Sequence, residues 1–263
     1  MVALQEVIGY KFDANKHMHT LNGAPLLGTT SVIGILDKHL QAWASGMACA
    51  KFGWRNPKDM SDLERLETAT KELDKISKMV PVNYMLLLDE AYKAHLTDNK
   101  KTKTQGTDLH KCLEDFIVCE MANIDVDAVE SIQPFVQWSK KNVKRFLFSE
   151  AHCYSEKLWV GGIADFGYED NQGNYVLADF KSSKEAYWSH ALQLGAYDIQ
   201  LMENGGLTKD GEPKLKFERP FSYYAVFCAR AGLDQPFFVK TQTEDAKEGF
   251  RQLAKLYKIQ NGF

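Results

Sequence analysis

This 263-residue chain has no excess of positive charge: 32 Lys and Arg stand against 35 Asp and Glu, a formal net charge of −3. A field spread over the whole surface therefore cannot gather a polyanion, and any contact with nucleic acid must come from local patches. Paired cysteine is lacking too. Cys49, Cys112, Cys119, Cys153 and Cys228 are odd in number, and none falls in a C-x-x-C. This argues against a disulfide framework and gives no sign of a zinc ribbon or an iron–sulfur site. No apolar run reaches the length of a membrane span. The opening residues, MVALQEVIGYKFD, lack a basic stretch followed by an apolar one. A reducing, cytoplasmic setting is the expectation. Internal repeats and low-complexity tracts are absent as well. What is present, 44% hydrophobic and 12% aromatic residues, suits one packed α/β domain rather than a disordered chain.

The most informative stretch is Gly161 to Lys181, GGIADFGYEDNQGNYVLADFK. Two apolar runs, each carrying a carboxylate, flank the polar turn DNQGN, so a hairpin is expected. It would set Asp165 beside Asp179. Alternation in a strand sends Val176, Ala178 and Phe180 one way and Leu177, Asp179 and Lys181 the other. A carboxylate and an ammonium two apart on an apolar strand are costly to bury unless they serve something. Two carboxylates converging near one lysine suit a hard cation and a phosphate. Taken alone, an Asp-x-Lys is more often a solvated pair on an edge strand.

The rest of the chain places this hairpin. Residues 7–30 alternate and turn near 13–15 and 22–23, reading as short strands. His17 and His19 share a face there and could bind a metal, but such a pair is more often polar surface, which is the favoured reading. Residues 31–54 look helical, ending at Asn56-Pro57. A charged amphipathic helix covers 61–79, another segment 82–97, and a basic polar loop 98–105. The helix 106–121 carries Leu109, Leu113, Phe116 and Ile117 as its core stripe. His110 and Glu114, four apart, share a face at its edge. An exposed polar pair explains that spacing as well as a metal site does, and it is not the H-E-x-x-H of zinc proteases. A helix over 125–145 follows, then strands 146–154, 158–168 and 174–182, with Glu150 on the first. The helix 186–203 has a polar stripe at Gln193 and Tyr197. Strands 221–230 and 235–241 and a helix 243–259 close the chain. The fold class expected is α/β: a mixed central β-sheet flanked by helices, with an N-terminal helical elaboration. The division expected is one domain, with a hairpin and helical layer in 1–104 and a core in 105–263.

The order of these features carries a resemblance. A helix with H-x-x-x-E, a strand with GG-x-x-D, a strand with D-x-K and a helix with Q-x-x-x-Y together resemble the PD-(D/E)xK nuclease superfamily. Within it, they resemble the RecB-like exonucleases. The match covers roughly residues 105–200. The segment LNGAPLLGTTSVIGIL looks like the opening of phage-encoded and mitochondrial-type single-domain members. Ala164 stands where the superfamily name has proline, and no C-terminal cysteine cluster is present.

That resemblance implies a restriction-endonuclease-like core and a Mg²⁺-dependent DNA exonuclease, with Mn²⁺ as a substitute ion and no iron–sulfur cluster. His110, Asp165 and Asp179 would hold the metal. Asp165, Asp179 and Lys181 would be catalytic. Glu114, Glu150, Gln193 and Tyr197 would support the site or touch DNA, Tyr197 by stacking on a base or donating to a phosphate. The substrate implied is DNA with free ends, in phage-type recombination, replication or repair. A single-strand-binding or recombination protein is the kind of partner implied, and no membrane. Two other readings stay open: a nucleic-acid-binding module with a decayed site, and a restriction-type endonuclease.

Overall fold

The computed structural model describes residues 9–36, 41–52, 61–124, 130–238 and 243–262, with backbone alone described at 41–44, 47 and 95–107. The chain divides into two compact units, one formed by Met1–Leu36 with Asp108–Phe263 and the other by Asp37–Thr107. The sequence division at 104/105 differs from this at the N-terminus. There the first strands join the core unit.

The core unit is built on a mixed sheet. Strands β5 (Val143–Ser155), β6 (Val160–Asp170) and β7 (Tyr175–Lys181) run antiparallel in succession. Strand β10 (Tyr223–Cys228) lies parallel to β7, with Phe227 opposite Phe180. Short strands β11 (Phe237–Phe238), β8 (Gly206–Leu207) and β9 (Pro213–Leu215) extend the two edges. Before them in the chain, β1 (Tyr10–Asp13), β2 (Met18–Leu21) and β3 (Ala24–Pro25) make a small separate sheet. Strand β4 (Leu27–Gly28) pairs in parallel with β6 at Val160 and Gly161. The β6–β7 turn forms as its residues dictate. The Asp170 carboxylate accepts the N–H groups of Gln172 and Asn174 at 2.9 and 2.8 Å, and Gly173 takes φ +84°.

Alternation along β7 separates two cores. Val176, Ala178 and Phe180 pack with Phe166, Phe227 and the buried Leu113, Phe116 and Ile117 of helix α4 (Pro81–Met121). Phe135 of helix α5 (Gln133–Asn142) is the hub of that side, within 5.2 Å of both Phe180 and Phe227 by ring centroid. Leu177 faces the other way, into a cluster with Tyr224, Val226 and the buried face of helix α6 (Trp188–Asn204). Helix α7 (Thr243–Asn261) packs on α6. A Cβ at Gly195 would lie 2.7 Å from the Ala246 carbonyl carbon, so only glycine allows that approach.

Three elements differ from the sequence reading. The polar stretch 98–105 is not a loop: α4 runs unbroken through it. Lysine and glutamine are good helix formers, and no proline interrupts them, so polarity alone misread it. The helix expected over 125–145 is shorter: 125–129 lie outside the described residues, α5 ends at Asn142, and β5 begins at Val143. The single helix expected over 31–54 is instead α1 (Thr29–Ile33), a 3-10 turn at Gly34–Leu36 and α2 (Gln41–Ala50).

In the second unit, helix α3 (Asp62–Ser77) starts from a reciprocal cap between Ser61 and Glu64. Its leucine stripe is not buried: Leu63, Leu66 and Leu73 are 67%, 66% and 71% exposed. No described helix is long and apolar enough to cross a membrane.

Phe135→Ala should lower the unfolding free energy by about 3–5 kcal/mol, the range for emptying a large aromatic site. Leu63→Ala should change it by less than about 0.5 kcal/mol, as for an exposed position. Urea titration of both variants checks the contrast.

Candidate active site

The β6–β7 ladder has its last pair at Phe166 and Ala178. One step further, the Asp165 side chain takes over as acceptor: its Oδ2 receives the Phe180 N–H at 2.9 Å. The other end of the same residue is held from α4. His110 Nε2 lies 2.9 Å from the Phe180 carbonyl oxygen. A carbonyl only accepts, so Nε2 carries the proton. The same nitrogen is 3.7 Å from Asp165 Oδ2. Phe180 itself is anchored in the aromatic core, stacked on Phe166 at 4.5 Å. The backbone of Phe180 thus joins three elements at one point, and its chain neighbours are Asp179 and Lys181.

Asp179 is 1% exposed. Lys181 Nζ sits 2.6 Å from its Oδ2, and neither carboxylate oxygen has a further hydrogen-bond partner. Burial, reinforced by the Asp179 charge, pushes the Asp165 carboxyl up to about 7, against the pull of His110 and Lys181. Burial works to lower the Lys181 pKa, but Asp179 and Asp165 outweigh it and the pKa is raised. In this state Lys181 is an ammonium.

A cavity of about 500 Å³ opens over Asp165, lined by His110, Glu114, Glu150, Tyr197 and the hydroxyl residues Thr30 and Ser31. A larger one of about 630 Å³, between α5 and the β6–β7 turn, contains none of these residues. Burial and the nearby Glu150 raise the Glu114 carboxyl, although Lys111 stands 3.7 Å away. Glu150 lies on β5 between Ser149, opposite Phe166, and Ala151, opposite Ala164, which sets it beside Asp165. Its φ is +47°, a left-handed conformation that costs a non-glycine residue about 1–2 kcal/mol. Lys214 Nζ donates to the carbonyls of Ser149 and Glu150 at 2.5 and 3.0 Å and holds that kink.

Gln193 Nε2 donates to Tyr197 Oη at 2.8 Å. Tyr197 is only 4% exposed, so its ring is part of the cavity floor and has no free face on which a base could stack. The ring packs on Gly162, where a Cβ would come within 2.6 Å of Tyr197 and 2.9 Å of the Thr29 hydroxyl. Thr29 Oγ1 in turn donates to the Gly161 carbonyl at 3.0 Å and accepts from Gln200 at 2.9 Å. The Gly161-Gly162 pair is therefore the seat of the N-terminal segment, a role its spacing alone did not reveal.

One sequence expectation changes. His19 is not surface: it is 4% exposed, with Nδ1 2.7 Å from Tyr10 Oη, and burial lowers its pKa to about 4. Two of the basic residues at 140–145 are engaged away from Asp165. Lys144 and Arg145 bind Glu169 at 2.8 and 2.7 Å, four residues beyond Asp165, roughly 13 Å along the strand. The side chains of the lysines in 99–103 lie outside the described residues. Sequence reasoning also missed His190, whose Nδ1 accepts the Tyr187 N–H at 3.1 Å close behind Lys181. Its signal, a histidine three residues before Gln193, was present but carries little information alone.

Among the described residues, no group of three His, Cys, Asp or Glu side chains stands ready to hold a metal ion. The donor chemistry fits a hard divalent cation all the same. Asp165 and Asp179 offer oxygen ligands with Lys181 as counter-charge, and apart from Lys181 the buried Asp179 oxygens have no hydrogen-bond partner. His110 would complete the set through a nitrogen, once Nε2 gives up the Phe180 carbonyl or the ring presents Nδ1.

The raised Asp165 pKa has a consequence for stability. Its carboxyl holds a proton in the folded state up to about pH 7, whereas the unfolded carboxyl, at 3.8, has already lost it. Stability from this residue is full below the unfolded value and falls as pH rises through the folded one. In the absence of divalent ions, Asp165→Asn should therefore melt at a higher temperature than the native chain above pH 7. The gap should close toward pH 4. Thermal melts across that range in a chelating buffer test it.

The chain matches no protein-family model and no curated protein, so the functional reading stands on the geometry of these residues.

Proposed function

We propose that this chain is a metal-dependent deoxyribonuclease of the PD-(D/E)xK kind, with a restriction-endonuclease-like core, acting as an exonuclease on DNA ends. The observation that carries the reading is the meeting of His110, Asp165, Asp179 and Lys181 around the Phe180 peptide. Helix α4 and two strands supply them, from positions up to 71 residues apart in the chain (His110 to Lys181). A packing requirement gives no reason to gather two carboxylates, a lysine and an imidazole there.

Phosphodiester hydrolysis forms a bond from water oxygen to phosphorus, breaks the bond to the leaving oxygen and delivers a proton to that oxygen. Mg²⁺ or Mn²⁺ held by Asp165, Asp179 and His110 would supply a water of lowered pKa and neutralise phosphate charge. Asp165 and Asp179 stand on the adjacent strands β6 and β7, so their separation is fixed by the sheet. Lys181, kept protonated by the two carboxylates, offsets negative charge on the reacting phosphate and orients the attacking water. Gln193 and Tyr197 hold the floor, and Glu114 and Glu150 line the wall where a water or a second ion would be bound.

One observation favours the second reading, a binding module with a decayed site: Lys181 closes on Asp179 and no three-ligand group is preformed among the described residues. The two readings part in a cleavage assay with end-labelled linear and circular single strands. The nuclease reading expects Mg²⁺- or Mn²⁺-dependent loss of the linear form alone. Cleavage of circles would make the chain an endonuclease, and inertness with both ions would leave the decayed module.

Asp165→Asn and Asp179→Asn should each reduce turnover at least about 100-fold, since each removes a ligand worth several kcal/mol in the transition state. Lys181→Ala should lose turnover at saturating DNA while keeping affinity. His110→Ala should lose less, with partial recovery in Mn²⁺. Mg²⁺ should raise the melting temperature of the native chain and not of Asp165→Asn. Near-normal turnover in either aspartate variant would remove that residue from the site.

A further inference from the structure

Tyr197 is buried in the cavity floor, and exposed aromatic surface stands at the end of the loop that follows Lys181. Lys181 is followed by a short loop that leads into α6 at Trp188. At the start of that helix, Tyr187 and Trp188 are 46% and 53% exposed, two neighbouring large aromatic side chains left in solvent. Single exposed apolar residues need no explanation, but an adjacent aromatic pair at the exit of a candidate active-site strand does. The Tyr187 ring stands edge-to-face with His190 at 5.4 Å. A reciprocal backbone pair fixes this corner: the Tyr187 N–H reaches His190 Nδ1 at 3.1 Å, and the His190 N–H reaches the Tyr187 carbonyl at 3.0 Å. Nδ1 is thereby an acceptor, so the neutral imidazole keeps its proton on Nε2. His190 is neutral: burial, then the Lys181 charge, lower its pKa to about 4, which sets the ring within electrostatic reach of the Lys181–Asp179 pair. The loop also carries the exposed Lys184.

We propose that Tyr187 and Trp188 form a ledge on which the bases of a single-stranded DNA terminus stack while its phosphate occupies the Asp165–Asp179–Lys181 site. This rests on the nuclease reading and names its substrate: an unpaired strand rather than a duplex. Bases in a duplex are already stacked and offer no free face to a side chain, whereas every unpaired base does, whatever its identity. The exposed Lys184 beside the ledge, next to the exposed Glu185, gives the corner a local cation without making it a basic groove. His190 holds Tyr187 in place at the start of α6.

The test uses the full chain with Ca²⁺, which sustains binding while cleavage is assayed separately in Mg²⁺. Anisotropy is read with a labelled oligothymidine, an abasic strand of the same length and a blunt duplex. The variants are Tyr187→Ala, Trp188→Ala and the ring-preserving Tyr187→Phe and Trp188→Phe. Replacement at 187 leaves the backbone N–H that holds His190 in place, and thermal melts confirm that each variant is folded. The expected result is a loss of oligothymidine affinity of about 5- to 150-fold for each alanine variant, the range for one base stack. The phenylalanine variants should retain most of that affinity, and the abasic strand and the duplex should bind all variants alike. Unchanged oligothymidine binding by both alanine variants overturns the ledge, as does an equal loss on the abasic strand. If the native chain cleaves linear strands and only these binding results fail, the ledge falls and the nuclease reading stands. A native chain that neither binds nor cleaves any strand sinks both.

Discussion

A buried carboxylate, Asp179, and a half-buried one, Asp165, share one neighbourhood with a single lysine, and the surrounding structure accommodates that imbalance. Lys181 cancels the charge of Asp179 at 2.6 Å, which leaves Asp165 as the second anion in a place that solvates anions poorly. A carboxylate so placed has three recourses: a proton, hydrogen bonds or a cation. It uses the first two. Burial and Asp179 lift its pKa toward neutrality, while the Phe180 N–H and the nearby His110 draw it back. The competition between these groups makes the site responsive to any added cation. An arrangement in which every charge was already matched would gain little from binding one.

The sheet holds these groups together against their repulsion. Asp179 and Lys181 pair with β10 at Val226 and Cys228, and on the β6 side the Phe180 N–H between them is held by the Asp165 side chain, so neither residue can swing away with its backbone. Phe180 between them is the opposite kind of residue, locked among Phe135, Phe166 and Phe227 on the other face. Each apolar ring buried there contributes roughly 1.5–3 kcal/mol by transfer alone. That is enough to offset a strained or poorly solvated group next door. Dry aromatic packing on one face is thus what fixes the polar constellation on the other.

The hairpin, the D-x-K alternation and the helix carrying His110 were legible in the sequence because each rests on local periodicity and turn chemistry. The α/β class followed from their order. Less was legible where the outcome depended on contacts distant in the chain. The Gly161-Gly162 pair read only as part of the strand pattern GG-x-x-D. It is also the close seat of Leu26, Thr29 and Tyr197, a fact set by residues more than thirty positions away. His19 read as surface because a short polar-flanked strand gives no hint that Tyr10 and His152 close over it. The stretch 98–105 read as a loop because solvated helix and solvated coil share one composition. Tyr197 shows the limit of motif reasoning: the spacing from Gln193 was informative, but burial decides whether a ring can meet a ligand.

The distribution of positive charge bears on how such a site meets a polyanion. Arg145, Lys144 and Arg219 gather around Glu169, and Arg219 also lies 3.8 Å over the Tyr175 ring. That cluster is at the turn end of the hairpin, with much of its charge already committed. The cavity over Asp165 is lined by three acids, Glu114, Glu150 and Asp165, against one lysine, Lys16, with histidines and hydroxyls between them. A long duplex laid across such a wall would bring its phosphates against carboxylates with few counter-charges, and repulsion of that kind acts over about 8–10 Å at physiological salt. A single strand entering end-on exposes fewer phosphates at once and can turn its bases toward neutral surfaces. On the proposed nuclease reading, this charge pattern would favour stacking at a strand terminus over capture by a basic groove.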